Sequence, residues 1–434
     1  MNYDCIIIGG GLSGLICGIK CLSEGLNCAI ISAGMNSLNF SSGSIDLLGF
    51  HPKNQFVNAP FACMESFIAV NPFHPYATCG IDIIEESLYF FKDALEKENL
   101  TLFSNGKNNH FTVTAVGAIK PTFFSQIGMF NEKIKSAFER KSKIAIINIQ
   151  GYRDFYPLII AKNLVKNEIF KDINIITGSV DMISLFKSKF KTKKNPYEFR
   201  SIDIARFFED DLFIEEIANK IIDAAKDAEI VAMPAFFGKH PSCAPIKKLE
   251  DLTGRIFYEI PTLPPSICGM RLDEALKSRF TGLGGIFIAG DKVVSGKILN
   301  GKVEYVSTEN YGASKLKAKC FVLSTGSFFS GGIKSGFQFM KEPLFNLQME
   351  YTVIRRKWYN NLFFDPESHP FFNFGVKTDY TFRPYDNCGK IIENLFCSGA
   401  ILANYNPIKE GSGGGVAIST GYKAAKKIIE ICKK

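Results

Sequence analysis

The sequence predicts an α/β protein whose nucleotide-binding fold is assembled from both ends of the chain, with a second α/β domain inserted between them. Two matched glycine clusters predict this. Residues 9–14 (Gly-Gly-Gly-Leu-Ser-Gly) follow the apolar run 5–8 and precede an amphipathic helix. Residues 411–415 (Gly-Ser-Gly-Gly-Gly) follow the strand-like segment 394–399 and precede the last helix. Glycine-rich turns between a strand and a helix are typical of phosphate-binding sites.

Length and composition agree with this fold class. A chain of 434 residues is long for a single core, and 46% hydrophobic residues with 37 glycines suit a folded α/β protein. The net charge of +8 is mild, and nothing in it indicates a nucleic-acid partner. Five lysines cluster between positions 187 and 194, and we expect a solvated loop there.

The first unit reads β-α-β. Residues 3–8 form a continuous apolar run, as expected of a parallel strand covered on both faces. A helix follows from Leu12 and ends at Gly25, and residues 27–32 form the second strand. The loop 39–44 (Asn-Phe-Ser-Ser-Gly-Ser) consists mainly of small residues and suits backbone contact with a flat ring.

The middle of the chain indicates a second α/β layer. Its predicted strands are 144–149, 173–176, 229–233 and 255–260, with a helix over 157–167. We therefore predict an inserted domain at residues 79–270, which would contact substrate or partners. Residues 1–78 and 271–434 would form the discontinuous cofactor domain, to which the buried strand 320–326 returns the chain.

Three glycines near the N-terminus fit the G-x-G-x-x-G pattern. Gly9 allows the tight turn, Gly11 lets phosphate oxygens approach the backbone, and Gly14 lets the helix lie close to the strand. The helix N-terminus then offers free N–H groups and a positive dipole. The alternative is a tight turn that binds nothing.

Two acidic residues usual at dinucleotide sites are missing. The second strand ends near Ser32, where Asp or Glu commonly binds the adenosine ribose, and no acid occurs between Glu24 and Asp46. The late strand ends in Gly399-Ala400, without the Asp expected beside the ribityl chain. Because a flavin without the adenosine half needs no ribose carboxylate, the sequence predicts FMN, with FAD as the alternative.

The C-terminal glycine cluster (residues 411–415) gives a matching signal. A helix N-terminus there would stabilise the negative charge that a reduced flavin carries. The residues predicted to hold the cofactor are Gly9, Gly11, Gly14, Ser41, Ser42, Gly43, Thr325, Gly326, Gly399, Gly413, Gly414 and Gly415. Together the two clusters predict a two-dinucleotide-binding-domain (Rossmann-type) flavoprotein fold.

Cysteine usage and hydropathy bear on metals and location. None of the 12 cysteines forms a Cys-x-x-Cys pair, so we expect no iron–sulfur cluster or structural zinc. No signal peptide is evident, and no run of about 18 apolar residues is long enough to span a bilayer. We expect a cytoplasmic protein that reaches the membrane through a partner.

Several long motifs carry a resemblance that covers essentially the whole chain. They include residues 39–48, 204–207, 261–266 with 269–272, 324–332, and 378–379 leading to 383–384. With both glycine clusters, these segments resemble the B subunits of anaerobic glycerol-3-phosphate dehydrogenases. That resemblance implies an FMN-containing oxidoreductase subunit of a three-subunit complex in anaerobic respiration and glycerol metabolism.

The resemblance also implies partners and a reaction. The partners would be an FAD-bearing A subunit and an iron–sulfur C subunit that tethers the complex to the cytoplasmic face of the membrane. sn-Glycerol 3-phosphate would be oxidised to dihydroxyacetone phosphate, and the electrons would pass to quinone. Mechanistically, a hydride would leave the substrate C2 for flavin N5 while a base takes the hydroxyl proton.

Five residues are candidates for contact with the substrate. Arg206, Arg271 and Arg383 lie in the matching segments and suit phosphate recognition, and the alternative for each is a structural ion pair. His74 and His369 are candidate bases, although a histidine beside proline is often a turn or packing residue.

Two other functions stay open at this point. One is a flavin-dependent dehydrogenase for a small carboxylic acid, built on the same architecture. The other is a non-catalytic bridging or electron-transfer subunit, since an inherited fold can lose its ligand.

Overall fold

The computed structural model describes residues 2–51, 55–182, 198–312 and 314–433, so the lysine cluster at 187–194 lies outside the described residues. Two parallel sheets organise the chain, of five and four strands, and each has its own hydrophobic cluster. The predicted α/β fold with a second α/β layer is therefore confirmed.

The first sheet joins the two ends of the chain. Its neighbouring strands are all parallel, and the N-terminal strand lies at its centre. In spatial order the strands are Ile286–Ala289, Cys28–Ser32, Asn2–Ile8, Lys317–Leu323 and Leu395–Cys397. Side chains such as Ile6 and Ile7 are completely buried, which explains the continuous apolar run in the sequence.

The four longest helices packed on the first sheet bury their apolar faces in its cluster. They are Leu12–Ser23, Ile81–Glu96, Ile267–Gly282 and Gly413–Cys432. The first helix lies very close to its neighbours because two of its residues lack side chains. A Cβ atom on Gly14 would overlap the Gly9 carbonyl oxygen, and one on Gly18 would lie 2.5 Å from the Phe280 ring.

The second sheet is built from the middle of the chain. Its parallel strands, in spatial order, are Ile256–Ile260, Ile230–Pro234, Ile144–Ile149 and Ile175–Val180. The helices packed on it are Glu132–Glu139, Pro157–Leu164, Ser201–Phe207, Asp211–Ala225 and Ala244–Thr253. The strand predicted at 173–176 continues to Val180 because residues 177–180 pair with the neighbouring strand.

Shorter elements complete the described chain. A hairpin joins Val293–Leu299 to Lys302–Thr308. The other antiparallel pairs are Leu102–Ser104 with Phe124–Gln126, His110–Val113 with Ile119–Thr122, Lys334–Ser335 with Met340–Lys341, and Met349–Glu350 with Gly375–Val376. The remaining α-helices are Pro60–Val70, Pro75–Cys79 and Pro407–Glu410.

The boundary of the inserted domain at residue 79 stays a prediction. The helix Ile81–Glu96, which that boundary assigns to the insert, packs Ile84, Leu88 and Phe91 into the cluster of the first sheet. The buried members of the second cluster run from Phe103 to Ile267.

Three findings concern thiols, metals and membranes. All twelve cysteines are free thiols. Across residues 2–51, 55–182, 198–312 and 314–433, no group of three or more His, Cys, Asp or Glu side chains is arranged to hold a metal ion. No helix in that part of the chain combines the length and the hydropathy needed to cross a membrane.

We expect the stability of the fold to decrease in mild acid because of His110. Its Nε2 lies 2.7 Å from Ser125 Oγ, and burial lowers its pKa from 6.5 to about 3. Between those pH values the unfolded chain binds a proton that the folded chain does not, so the free energy of unfolding falls by up to about 1.4 kcal/mol per pH unit. Urea unfolding at several pH values between 7 and about 4 would measure this slope. His110→Asn should make it shallower, and an unchanged slope would contradict the assignment.

Candidate functional site

A cavity of about 220 Å³ opens at the carboxyl edge of the first sheet, where ligands of open parallel sheets commonly bind. Turns that follow four of its strands, and two later loops, form its walls. The lining residues are Ile8–Gly11, Ile31–Ser37, Asp291–Val293, Ser324–Gly326, Ser330–Gly332 and Glu342–Leu344. We call it the glycine-turn cavity.

Gly9 and Gly11 shape the floor of this cavity in different ways. Gly9 has φ of +114°, and a Cβ atom there would overlap the Ser324 carbonyl oxygen. Gly11 has extended backbone, with φ −83° and ψ −177°, and a Cβ atom there would meet nothing within 4 Å. A ligand can therefore approach the backbone at Gly11, which is the space that the glycine pattern predicts for a phosphate.

The start of the first helix supplies hydrogen-bond donors to this space. Within the described part of the chain, the N–H groups of Gly11, Leu12 and Ser13 are bonded to no protein acceptor. The first turn of the helix carries no acidic residue. Free N–H groups at a helix N-terminus favour an anion, so the turn fits a phosphate.

Two buried hydroxyl groups flank the same turn. Ser13 Oγ and Thr325 Oγ1 have no hydrogen-bond partner among the described residues. Thr325 and Gly326 follow the strand Lys317–Leu323, whose neighbouring Ser324 N–H donates to the Ile8 carbonyl at 2.8 Å. The structure thus brings the predicted residues Gly9, Gly11, Thr325 and Gly326 to one cavity.

An acidic residue that follows another strand lies next to Ser32, the position where a ribose-binding Asp or Glu is usual. Asp291 follows the strand Ile286–Ala289, and its N–H donates to the Ser32 carbonyl at 3.2 Å. Its carboxylate accepts from the Asn310 N–H at 3.0 Å and so holds the turn after the hairpin. Sequence reasoning missed Asp291, although a Gly-Asp pair after a strand was an available signal.

Glu342, the other carboxylate on the cavity wall, is also bonded to backbone. It accepts from the N–H groups of Leu344 at 2.8 Å and Phe345 at 2.7 Å. Burial raises the pKa of its carboxyl group. Both carboxylates that line the cavity therefore stabilise turns of the protein itself.

The C-terminal glycine cluster lies against the segment Ile45–Leu47. A Cβ atom on Gly414 would lie 3.0 Å from Ile45 Cγ2, and the Gly415 N–H donates to the Asp46 carbonyl at 2.7 Å. Ser41, Ser42, Gly43, Gly399 and Gly413–Gly415 are not among the residues that line the glycine-turn cavity. Their role in holding a cofactor stays a prediction.

Lys120 adds a positive charge beside this cluster, and sequence reasoning missed it. Its Nζ lies 2.7 Å from Asp46 Oδ2 and 3.5 Å from the hydroxyl oxygens of both Ser42 and Ser44. Burial raises the pKa of Asp46, while Lys120 opposes that shift. Lys120 comes from the strand Ile119–Thr122, so only the folded chain brings it to the loop at Ser42.

Both candidate bases have protein partners on both ring nitrogens. His74 Nδ1 accepts from the Tyr76 N–H at 2.9 Å and caps the helix Pro75–Cys79, and its Nε2 lies 3.1 Å from Glu410 Oε2. His369 Nδ1 accepts from the Asn360 N–H at 3.1 Å, and its Nε2 lies 3.0 Å from the Phe363 carbonyl. Neither histidine lines the glycine-turn cavity.

The candidate phosphate-binding arginines are also outside this cavity. Arg271 is 3% exposed and bonds both oxygens of Glu259, at 2.7 and 2.8 Å. Arg383 bonds Asp379, with Nη2 2.8 Å from Oδ2, and Arg206 is exposed on the helix Ser201–Phe207. Their contact with a substrate phosphate stays a prediction.

Known proteins resemble this chain over nearly its full length. Residues 4–416 match the family model described as FAD binding domain. The B subunit of anaerobic glycerol-3-phosphate dehydrogenase from Aliivibrio fischeri (strain MJ11) is 38% identical, over 99% of this chain and 96% of that protein. The protein of the same name from Vibrio vulnificus (strain YJ016) is 36% identical, over 99% of this chain and 97% of that protein.

A solved structure also aligns with the whole chain. The 3-ketosteroid delta1-dehydrogenase from Sterolibacterium denitrificans covers 99% of this chain and 100% of its own, with a TM-score of 0.47 and 10% identity. A similarity that low has no bearing on the function.

Proposed function

Because this chain belongs to the family of anaerobic glycerol-3-phosphate dehydrogenase B subunits and matches the FAD binding domain, we propose that it is a flavin-dependent oxidoreductase subunit. In this proposal it oxidises sn-glycerol 3-phosphate to dihydroxyacetone phosphate. The observation that supports flavin binding is the open space beside the backbone at Gly11. The N–H groups of Gly11, Leu12 and Ser13 have no protein acceptor in the described chain.

The residues at the glycine turn fit the phosphate of a flavin nucleotide. The N–H groups of Gly11, Leu12 and Ser13 would bind it, and the hydroxyl group of Thr325, which lines the same cavity and has no partner among the described residues, would add a side-chain donor. When bound, a flavin supplies the two-electron acceptor that alcohol oxidation needs. The chain's own contribution at this end is to fix the phosphate and so orient the remainder of the nucleotide.

The C-terminal glycine cluster supports a second contribution, which is electrostatic. The N-terminus of the helix Gly413–Cys432 places positive charge beside the segment Ile45–Leu47, where the ammonium group of Lys120 is paired with the Asp46 carboxylate. Positive charge there would stabilise an anion that forms during substrate oxidation. The substrate would lose the C2 hydrogen as hydride and its hydroxyl proton to a base, for which His74 and His369 stay the predicted candidates.

The identity of the flavin is a separate proposal. The sequence predicts FMN because both usual carboxylates are missing, and this prediction is not confirmed. The cavity continues from Gly11 along Ser32–Ser37, which is the side where a second nucleotide half would lie, and the family model is one of FAD binding. We therefore propose FAD, and release of FMN alone would contradict this.

The relatives are named as B subunits, which supports membership of this chain in a complex. We propose that an FAD-bearing A subunit and an iron–sulfur C subunit complete it, pass the electrons to quinone and hold this chain at the inner face of the cell membrane.

The test of the function is anaerobic bleaching of the visible flavin band. We expect sn-glycerol 3-phosphate to bleach it, and glycerol, which lacks the phosphate, to leave it unchanged. Bleaching by succinate instead would favour the dehydrogenase for a small carboxylic acid. If the chain stays coloured alone and bleaches only with its partners, it is the bridging or electron-transfer subunit, and the proposed catalytic role is wrong.

A further inference from the structure

An apolar groove of about 860 Å³ lies along residues 359–372, with Phe50, Phe329 and the helix Pro407–Glu410 on its other walls. We call it the aromatic groove. Phe371 and Phe372 stack with their ring centroids 4.3 Å apart and are partly buried. The rings of Phe329, Phe363 and Phe364, which also line the groove, are exposed to solvent.

The exposed apolar area is large for a protein that works alone. Phe329, Phe363 and Phe364 are 78%, 82% and 89% exposed, and Ile408 is 63% exposed. At roughly 200 Å² per phenylalanine side chain, the three rings alone present about 500 Å². Contiguous patches above a few hundred Å² mark interaction sites, and a standard interface buries about 800 Å² on each partner. The groove therefore supplies more than half of one side of an interface.

We propose that the aromatic groove docks the electron-accepting subunit of the same complex, through an apolar segment bordered by carboxylates. This inference rests on the proposed function, because it requires a partner that takes electrons from this chain.

Charge at the rim indicates the chemistry of that partner. Arg355, Arg356 and Lys357 are consecutive and exposed, and Arg356 Nη2 lies 2.5 Å from Asn361 Oδ1 on the groove wall. Lys409 on the opposite wall is paired with Glu367. A symmetric dimer would place the basic run of each copy in the same interface, where like charges repel. Complementary carboxylates on a different chain would instead attract it.

The location of the groove favours an electron-accepting partner. The Phe50 N–H donates to the Glu410 carbonyl at 3.0 Å, and a Cβ atom on Gly411 would lie 3.6 Å from the Phe50 ring. The groove wall is thus continuous with the start of the C-terminal glycine cluster, where we expect the redox end of the cofactor. The rate of electron transfer decreases with the distance between donor and acceptor. A subunit docked in this groove would therefore bring its acceptor close to the expected redox end of the cofactor.

The test is co-purification of the whole complex carrying Phe363→Ser and Phe364→Ser together in this chain. Both side chains are exposed, so the substitutions should leave the fold intact. We expect association with the co-expressed partner subunits to weaken by about tenfold or more. Arg356→Glu should also weaken it. Leu212→Ser, an exposed leucine on the helix Asp211–Ala225, is the matched control and should assemble normally.

Flavin content and bleaching by sn-glycerol 3-phosphate are measured separately, on the purified wild-type chain and on the purified double variant. If the wild-type chain does not bleach, the proposed function fails whatever the assembly result. If it bleaches and the double variant still assembles with wild-type affinity, the docking proposal is overturned. A wild-type chain that dimerises on its own, with the double variant monomeric, would also overturn it, since the groove would then bind a second copy.

Discussion

Replacing Gly11 with valine is expected to give a folded protein that has lost its flavin. The backbone at Gly11 is extended, with φ −83° and ψ −177°, which valine adopts without strain. Its Cβ atom would meet nothing within 4 Å, so the side chain would occupy the open space where a phosphate would bind. Losing two charge-assisted hydrogen bonds of about 1.5–3 kcal/mol each weakens binding by roughly 100-fold to 10,000-fold.

The measurement is the ratio of released flavin to protein, with circular dichroism as the check on folding. Gly282→Val is the matched control, because a Cβ atom there also meets nothing within 4 Å but the residue lies at the end of the helix Ile267–Gly282. We expect the control to keep its full flavin complement. A coloured Gly11→Val protein would show that the phosphate lies elsewhere.

Replacing Arg271 with methionine is expected to destabilise the fold strongly. The guanidinium group bonds both oxygens of Glu259 and the carbonyls of Phe237 and Gly238, and Glu259 is 1% exposed. Removing one partner of a buried ion pair leaves the other charge uncompensated, at a cost of about 3–5 kcal/mol. Urea unfolding of the purified chain measures this loss.

A double variant separates the structural role from the predicted role in substrate binding. Adding Glu259→Gln to Arg271→Met removes the uncompensated charge and should restore much of the lost stability. The substrate KM of the restored protein should then match that of the wild type. Unchanged stability of the single variant together with a raised KM would instead assign Arg271 to the substrate phosphate.

Strands and turns that depend only on the local pattern of apolar residues and glycines can be predicted from the sequence. The central strand Asn2–Ile8 is covered on both faces, so its sequence is continuously apolar, and the glycines at 9, 11 and 14 mark the turn that follows. The strands of the second sheet are predicted for the same reason: the strand Ile144–Ile149 has the predicted bounds, and the ends of the other three are displaced by at most four residues.

Contacts between residues that are distant in the sequence cannot be predicted from such local patterns. Lys120 reaches the loop at Ser42, and Asp291 reaches the glycine-turn cavity, from parts of the chain distant in sequence, and no local pattern predicts either approach. The sequence also cannot tell that Arg271 is paired with Glu259, because an arginine for phosphate and an arginine for a buried carboxylate look alike. The exposure of Phe363 and Phe364 in the aromatic groove is likewise a property of the folded chain that no local pattern indicates.

The visible absorption spectrum of the purified chain, with chromatographic identification of the released pigment, shows whether this chain binds a flavin. We predict flavin bands at about one flavin per chain, since one glycine turn provides one phosphate site. We further predict that the pigment is FAD. A folded chain, co-expressed with its partners, that carries no flavin would contradict the claim that this is a flavin-binding subunit.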